Sequence, residues 1–206
     1  MVAIIDYGVG NLFSLKSSFG AIGEEATVTS DPGELEKAER IILPGVGAFE
    51  DAAKKLAATG LDTVLKEQVA KGKPLMGICL GMQLLFDKSY EYGEFDGLGL
   101  LRGEIRPIAD VIPSGYKIPH IGWNSLHFTQ ENCSLLRYSR EGDYVYFVHS
   151  FYAANCNDSV AAVTEYGAPL TAAVAKGNVY GCQFHPEKSG ETGLRILKAF
   201  CETEAV

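Results

Sequence analysis

Lys73-Pro-Leu-Met-Gly-Ile-Cys-Leu-Gly-Met-Gln-Leu-Leu-Phe86 is the stretch on which the fold turns. Leu75 to Ile78 is a short apolar run with the length of a buried strand, and Leu80 to Phe86, with no breaker after Gly81, reads as helix. At the junction, Gly77-Ile-Cys-Leu-Gly81 has the G-x-nucleophile-x-G form of a nucleophile elbow, with Cys in place of Ser. The glycines flank a turn too tight for side chains, so Cys79 can stand clear of the sheet. A thiol at a helix start also meets free N–H groups and partial positive charge, which favour the reactive thiolate. Taken alone, the pattern fits a buried structural cysteine equally well. The rest of the chain has to decide.

The chain upstream alternates strand and helix. Val2 to Ile5 reads as a strand, Asp6-Tyr-Gly-Val-Gly-Asn11 as a sharp turn, and a helix follows to about Ala21. Gly8-x-Gly10 begins like a dinucleotide fingerprint, but Phe13 stands where the third glycine belongs. Ala26 to Thr29 is a second strand. Asp31-Pro32 supplies an N-cap and first-turn proline for a helix to about Glu39. Arg40 to Leu43 is a third strand, followed by Pro44-Gly-Val-Gly47 and helical pattern over Ala48 to Ala58 and Leu61 to Ala70. This alternation predicts an α/β fold with a mostly parallel central sheet, helices on both faces and loops gathered at one edge.

Downstream the pattern changes. Ser89 to Gly99 is polar and glycine-rich, a predicted loop, and Arg106 to Pro119, with three prolines, is predicted largely irregular. Additional strands, mainly antiparallel, are expected at Leu100 to Ile105, Ile121 to Phe128, Tyr144 to Val148, Val160 to Thr164, Leu170 to Ala175 and Val179 to Phe184. A last helix spans about Glu191 to Glu202. With no repeats or linkers, residues 1–206 are expected to form a single domain.

Composition narrows the function. A net charge of -8 and a pI near 5.0 argue against nucleic-acid or anionic-membrane binding. The N-terminus enters a strand without the features of a signal peptide, and no apolar run approaches a membrane span. Five scattered cysteines without C-x-x-C spacing argue against a disulfide framework and against zinc, so no metal or cofactor is expected. The expectation is a soluble cytoplasmic protein. Cys182 and Cys201 read as packing, Cys133 and Cys156 have no identifiable partner, and only Cys79 has a setting that suggests chemistry.

Gly181-Cys-Gln-Phe-His-Pro-Glu-Lys188 supplies the other half of a site. His185 follows a strand, and Glu187 stands two residues on, across Pro186. In an extended run i and i+2 point the same way, so the carboxylate can hold the imidazole tautomer. A nucleophile, a base and an orienter are then Cys79, His185 and Glu187. His120, His127 and His149 have no such acid beside them in sequence. Pro44-Gly-Val-Gly47 offers backbone N–H groups of the kind that acyl transfer needs around an oxyanion.

These motifs, Gly77-Ile-Cys-Leu-Gly-Met-Gln83, Pro44-Gly-Val-Gly-Ala-Phe49 and Gln183-Phe-His-Pro-Glu187, resemble those of the class I (triad) glutamine amidotransferases in order and spacing, over nearly the whole chain. Within that superfamily, Pro119-His-Ile-Gly-Trp-Asn124, Tyr146-Phe-Val-His-Ser150 and His185-Pro-Glu-Lys-Ser189 are similar to the glutaminase subunits of imidazole glycerol phosphate synthases. The resemblance implies that Cys79, His185 and Glu187 hydrolyse glutamine, with Leu80, Gly45 and Val46 at the oxyanion. It implies further that Gln83, Glu91, Gly47, Ser150 and Phe151 hold the substrate. It also implies a heterodimer with a (β/α)8-barrel cyclase subunit that takes up the ammonia, and turns Asn11, His120, Trp123, Tyr146 and Lys188 toward that partner. Trp123, the sole tryptophan, fits a core position as well as an interface anchor.

Overall fold

Strands covered on both faces are rich in apolar and β-branched residues, and the first half of the chain supplies such runs. In the computed structural model, which describes residues 1–203, they are β1 (Val2–Ile5), β2 (Ala26–Thr29), β3 (Arg40–Leu43) and β4 (Leu75–Ile78). Between them lie α1 (Leu12–Ala21), α2 (Pro32–Lys37), α3 (Phe49–Thr59) and α4 (Leu61–Ala70), with α5 (Leu80–Gln83) directly after β4. Asp31 caps α2 as its sequence requires, its carboxylate accepting from the Glu34 N–H at 2.9 Å, with Pro32 opening the helix.

The second half contributes β5 (Phe86–Ser89), β6 (Phe95–Asp96), β7 (Leu101–Pro107), β8 (His120–Ser125), β9 (His127–Phe128) and β10 (Tyr144–His149). It continues with β11 (Phe151–Ala154), β12 (Val160–Glu165), β13 (Pro169–Lys176), β14 (Val179–Cys182) and α6 (Gly190–Cys201). The main sheet runs β2-β1-β3-β4-β14-β13-β12-β9. Its first five strands are parallel and the remaining pairings antiparallel. A second sheet, β11-β7-β5-β6, and an antiparallel ribbon of β10 and β8 complete the described residues.

Apolar side chains fill both faces of the main sheet. Leu15 and Phe19 of α1 and Ile196, Leu197 and Phe200 of α6 pack on one side with Phe147 and Phe184. Leu35, Phe49, Leu56 and Leu65 of α2, α3 and α4 pack on the other. Burying each such side chain contributes roughly 1.5–3 kcal/mol, so two filled faces fix the layer order expected from the β-loop-α alternation.

Three expectations are corrected. The helix after Cys79 stops at Gln83 instead of reaching Phe86, because the Leu84 and Leu85 carbonyls accept from the backbone of Leu98, Leu100 and Leu101. The Ser89 to Gly99 loop contains a strand, β6, that pairs with β5, itself starting at Phe86. Ile121 to Phe128 is two strands in different sheets. Leu126, fully buried, makes the break, exchanging backbone hydrogen bonds with Gly142 and Asp143. β11, a strand beyond those expected, pairs antiparallel with β7.

The decisive pairing is β14 beside β4. Their parallel register sets Cys182 opposite Ile78, so the residues after each strand emerge together at the same edge of the sheet.

Candidate active site

Cys79 sits one residue past β4, with φ 56° and ψ -112°. For a side chain other than glycine this region is strained, as expected of a residue held proud of a strand-to-helix turn. The left-handed backbone therefore falls on the cysteine itself, and the neighbouring glycines serve another need. A Cβ on Gly77 would stand 2.4 Å from the Gly81 carbonyl oxygen, and one on Gly81 would stand 1.9 Å from the Leu43 carbonyl oxygen. The elbow is pressed against the end of β3 by backbone alone. Gly45 closes the same seam, a Cβ there lying 2.7 Å from the Gly81 nitrogen.

The register of β14 delivers the rest. The Cys79 N–H donates to the Cys182 carbonyl at 2.7 Å, and His185 follows three residues later. Its backbone N–H donates to Tyr146 in β10, while its carbonyl accepts from the Ser189 hydroxyl at 2.6 Å. His185 Nδ1 meets Glu187 Oε1 at 2.8 Å, both side chains being nearly inaccessible. The route differs from the extended one expected: Pro186–Lys188 is a 3-10 turn, and it is this turn that swings the carboxylate back to the ring. The second oxygen, Oε2, is buried and unpartnered among the described residues.

Burial opposes charge on His185, but the hydrogen bonds the ring donates to Cys79 and Glu187 and the negative charge of both outweigh it. The imidazole pKa is raised to about 9. Tyr7, behind the elbow, is pushed the same way by burial and by the charge of Cys79, and its hydroxyl donates to the Pro44 carbonyl at 2.7 Å.

Cys79, Leu80 and His185 open onto a cavity of about 420 Å³. Val46, Gly47, Gln83, Glu91, Ser150, Phe151 and Lys188 all line it, so the sequence-predicted substrate residues are brought together, although they come from separate elements. Gly45 does not line the cavity and packs instead against the backbone of the elbow at Leu80 and Gly81. Leu80 occupies the first position of α5, where an N–H has no partner within the helix. Glu91 is half-buried, accepts from the Phe49 N–H at 2.7 Å, and has its pKa raised by burial. Gln83 donates to the Phe151 carbonyl and to Gln183 Oε1 at 3.2 and 3.0 Å.

Other residues complete this wall. Tyr92, 90% exposed, stands at the rim edge-on to Phe151. Pro119, Val148 and His149 also line the cavity. Gln183 is fully buried, with its amide 3.9 Å from the Cys79 sulfur. It lies two residues before His185, a spacing that was available in the sequence as a signal. The histidines are not companionless either: His127 meets Glu141 at 2.8 Å, and His120 meets His149 at 3.0 Å. Cys156 has a neighbour in Thr171 at 3.8 Å.

Of the five residues expected to face outward, His120 does not. Its ring is buried, stacked against Phe147 and Tyr166. Trp123 is 54% exposed on β8, which removes the core alternative, and packs edge-on to Tyr146 across the ribbon. Lys188 lies 5.9 Å above the same tyrosine ring, and Asn11 caps α1. Among the described residues no three His, Cys, Asp or Glu side chains group as metal ligands, and no helix is long and apolar enough to cross a membrane.

A cysteine on a strained strand-to-helix turn, beside a histidine paired with a buried carboxylate, is equipped for thioester chemistry. The family model for glutamine amidotransferase class-I matches residues 3–203. The chain belongs to that family. It is 51% identical over 203 residues to "Imidazole glycerol phosphate synthase subunit HisH" of Caldanaerobacter subterraneus subsp. tengcongensis, covering 98% of each chain. The protein of the same description from Wolinella succinogenes is 48% identical, with 98% and 99% covered. A solved structure described as a glutamine amidotransferase superposes with a TM-score of 0.75 at 21% identity, covering 98% of this chain and all of that one. The PurLQS structure from Thermotoga maritima gives 0.74 at 21% identity. These structures confirm the α/β architecture. At this identity and coverage the chain groups, within the class I amidotransferases, with the proteins described as HisH.

Proposed function

We propose that residues 1–206 act as one glutaminase domain in the cytoplasm and pass ammonia to a (β/α)8-barrel cyclase subunit in histidine biosynthesis. The observation that carries the chemistry is the contact of His185 with Glu187 at 2.8 Å, beside a cysteine held in a strained turn.

Cys79 thiolate attacks the side-chain amide carbon of glutamine, and the thiol proton resides on His185. A ring whose pKa is raised to about 9 keeps that proton at neutral pH and gives it to the leaving nitrogen. The C–N bond breaks, ammonia departs and a γ-glutamyl thioester remains on Cys79. His185, now neutral, takes a proton from water, which attacks the thioester; glutamate leaves and the thiol is restored. Glu187 orients the ring and offsets its charge without taking up a proton.

The Leu80 N–H and the Gly45–Val46 turn are the donors proposed for the oxyanion, each worth ~10²–10³ in rate. Gln83, Glu91, Gly47, Ser150 and Phe151 would bind the amino-acid end of glutamine. Their joint position around one cavity supports this.

The ribbon and the turn after His185 supply the proposed partner surface: Trp123, Tyr146, Lys188 and, nearby in sequence, exposed Ile118 and Ile121, with Asn11 on the first turn. Tyr146 ties this surface to the site, because its carbonyl accepts the His185 backbone N–H. Docking on the ribbon therefore bears directly on the catalytic histidine.

The test is glutamate release from glutamine by the purified chain, alone and with the cyclase subunit and its nucleotide substrate. Strong stimulation by both, lost in Cys79→Ala, is expected. Full activity alone, indifferent to the cyclase, would sink the partner assignment and leave a free-standing glutaminase.

A further inference from the structure

The buried histidine pair has no part in the triad, yet one end of it reaches the glutamine cavity. His149 Nδ1 lies 2.8 Å from the Phe151 carbonyl oxygen, which can only accept, so Nδ1 carries the hydrogen. His149 Nε2 is then an acceptor, and His120 Nδ1, 3.0 Å away, must donate to it. His120 Nε2 in turn accepts from the Asn124 amide at 3.4 Å, whose other hydrogen goes to the Glu165 carbonyl at 2.8 Å. The Asn124 oxygen is engaged by the Ser125 N–H, so the amide cannot be turned round without losing both contacts. Every donor in the chain points the same way, from β8 toward the cavity.

The Phe151 carbonyl is also the acceptor for Gln83, whose second amide hydrogen goes to Gln183; the Gln183 amide nitrogen in turn faces the Cys79 sulfur at 3.9 Å. With both of its hydrogens used inside the wall, Gln83 leaves its own carbonyl oxygen for the cavity it lines. The two chains of hydrogen bonds meet at Phe151.

We propose that His120 and His149 are positioning residues, a one-directional hydrogen-bond relay that holds the Phe151 carbonyl and through it orients Gln83 for binding glutamine. This deepens the glutaminase reading and rests on it. Both rings are suited to the task because they stay neutral: burial holds His120 down at about 4 and His149 at about 3, the latter aided by the charges of His120 and His185. A protonated ring would donate from both nitrogens and break the direction of the chain. His120 is also fixed mechanically, between the rings of Phe147 and Tyr166 at 4.9 and 4.1 Å.

Removing the His120 donor while keeping a flat ring of similar size isolates the effect. In His120→Phe, His149 Nε2 loses its donor and is left unpaired in a buried site, so the ring is held only by its bond to the Phe151 carbonyl and can shift away from it. Assayed as the complex with the cyclase subunit, His120→Phe is expected to raise KM for glutamine roughly tenfold, the worth of about one hydrogen bond. Its kcat stays within threefold, because Cys79, His185 and Glu187 are untouched.

His120→Asn puts an amide donor near the Nδ1 position and is expected to restore KM to within threefold of wild type. Circular dichroism and the thermal midpoint check folding, and alkylation of Cys79 by iodoacetamide, which does not need the glutamine subsite, checks the thiol. A lower thermal midpoint with unchanged KM would make the pair merely structural and overturn the proposal, as would a raised KM that Asn fails to rescue. Absence of glutaminase activity in the wild-type complex would instead defeat the reading beneath it.

Discussion

Gly81→Ala is the substitution for which the structure sets the clearest magnitude. The added Cβ would lie 1.9 Å from the Leu43 carbonyl oxygen and 2.8 Å from its carbon, both backbone atoms. Real Cβ contacts do not fall below 3.0 Å, so the elbow and the end of β3 must separate by about 1.1 Å. No flexible side chain is there to yield. The shift acts on the two walls that carry Leu80 and the Gly45–Val46 turn, and a displacement near 1 Å costs on the order of 10² in rate. Overpacking adds about 1–3 kcal/mol of destabilisation, a fall of roughly 2–12 °C in Tm for a chain of this size.

The assay is glutamate release by the complex with the cyclase, beside thermal unfolding. Gly60→Ala is the control: at φ 71° the substitution is strained, but nothing lies within 4 Å of the added atom and Gly60 ends α3. It should cost about 1 kcal/mol and leave kcat unchanged. If Gly81→Ala kept kcat within threefold of wild type, the reading of the elbow as a backbone-on-backbone seam would be refuted.

Cys79→Ser is expected to lose glutamine hydrolysis and labelling by a glutamine-analogue electrophile alike, which activity and mass spectrometry check; retained activity would move the nucleophile elsewhere. For His185, a folded pKa of about 9 lies above the ordinary 6.5, so its contribution to stability is complete below pH 6.5 and is lost as pH rises through 9. Denaturant unfolding should thus show the gap between wild type and Glu187→Gln widest near pH 6 and narrowing toward pH 9; a constant gap would contradict it. The depressed values of His120 and His149 act with the opposite sign, since the unfolded chain takes up protons below pH 6.5 that the folded one refuses. Stability should fall between pH 6.5 and 4, and less steeply in His120→Phe. Trp123→Ala should weaken cyclase binding by roughly 1–4 kcal/mol in calorimetry, with folding intact; a change under twofold in Kd would remove Trp123 from the interface.

Local pattern sufficed wherever one segment carries its own structure. Val2–Ile5 and Leu75–Ile78 are apolar runs, Ala26–Thr29 is rich in β-branched residues, Arg40–Leu43 is apolar after its first residue, and Asp31-Pro32 is a helix start in two residues. The G-x-C-x-G form placed Cys79, and the His-Pro-Glu run placed its companions, because spacing within a few residues survives folding. Tertiary structure decided what depends on partners far along the chain. The helix after Cys79 could not be seen to end at Gln83, since the backbone that takes its carbonyls comes from Leu98 to Leu101. Leu126 splits one predicted strand between two sheets because Gly142 and Asp143 hold it. His120 reads as a surface residue of an interface motif until Phe147 and Tyr166 are found stacked on it. The residue types of the Cys79, His185 and Glu187 cluster were legible, but its assembly was not. It exists because β14 lies parallel to β4 with Cys182 opposite Ile78, a pairing between segments about a hundred residues apart, set by burial on both faces of the sheet rather than by any local pattern.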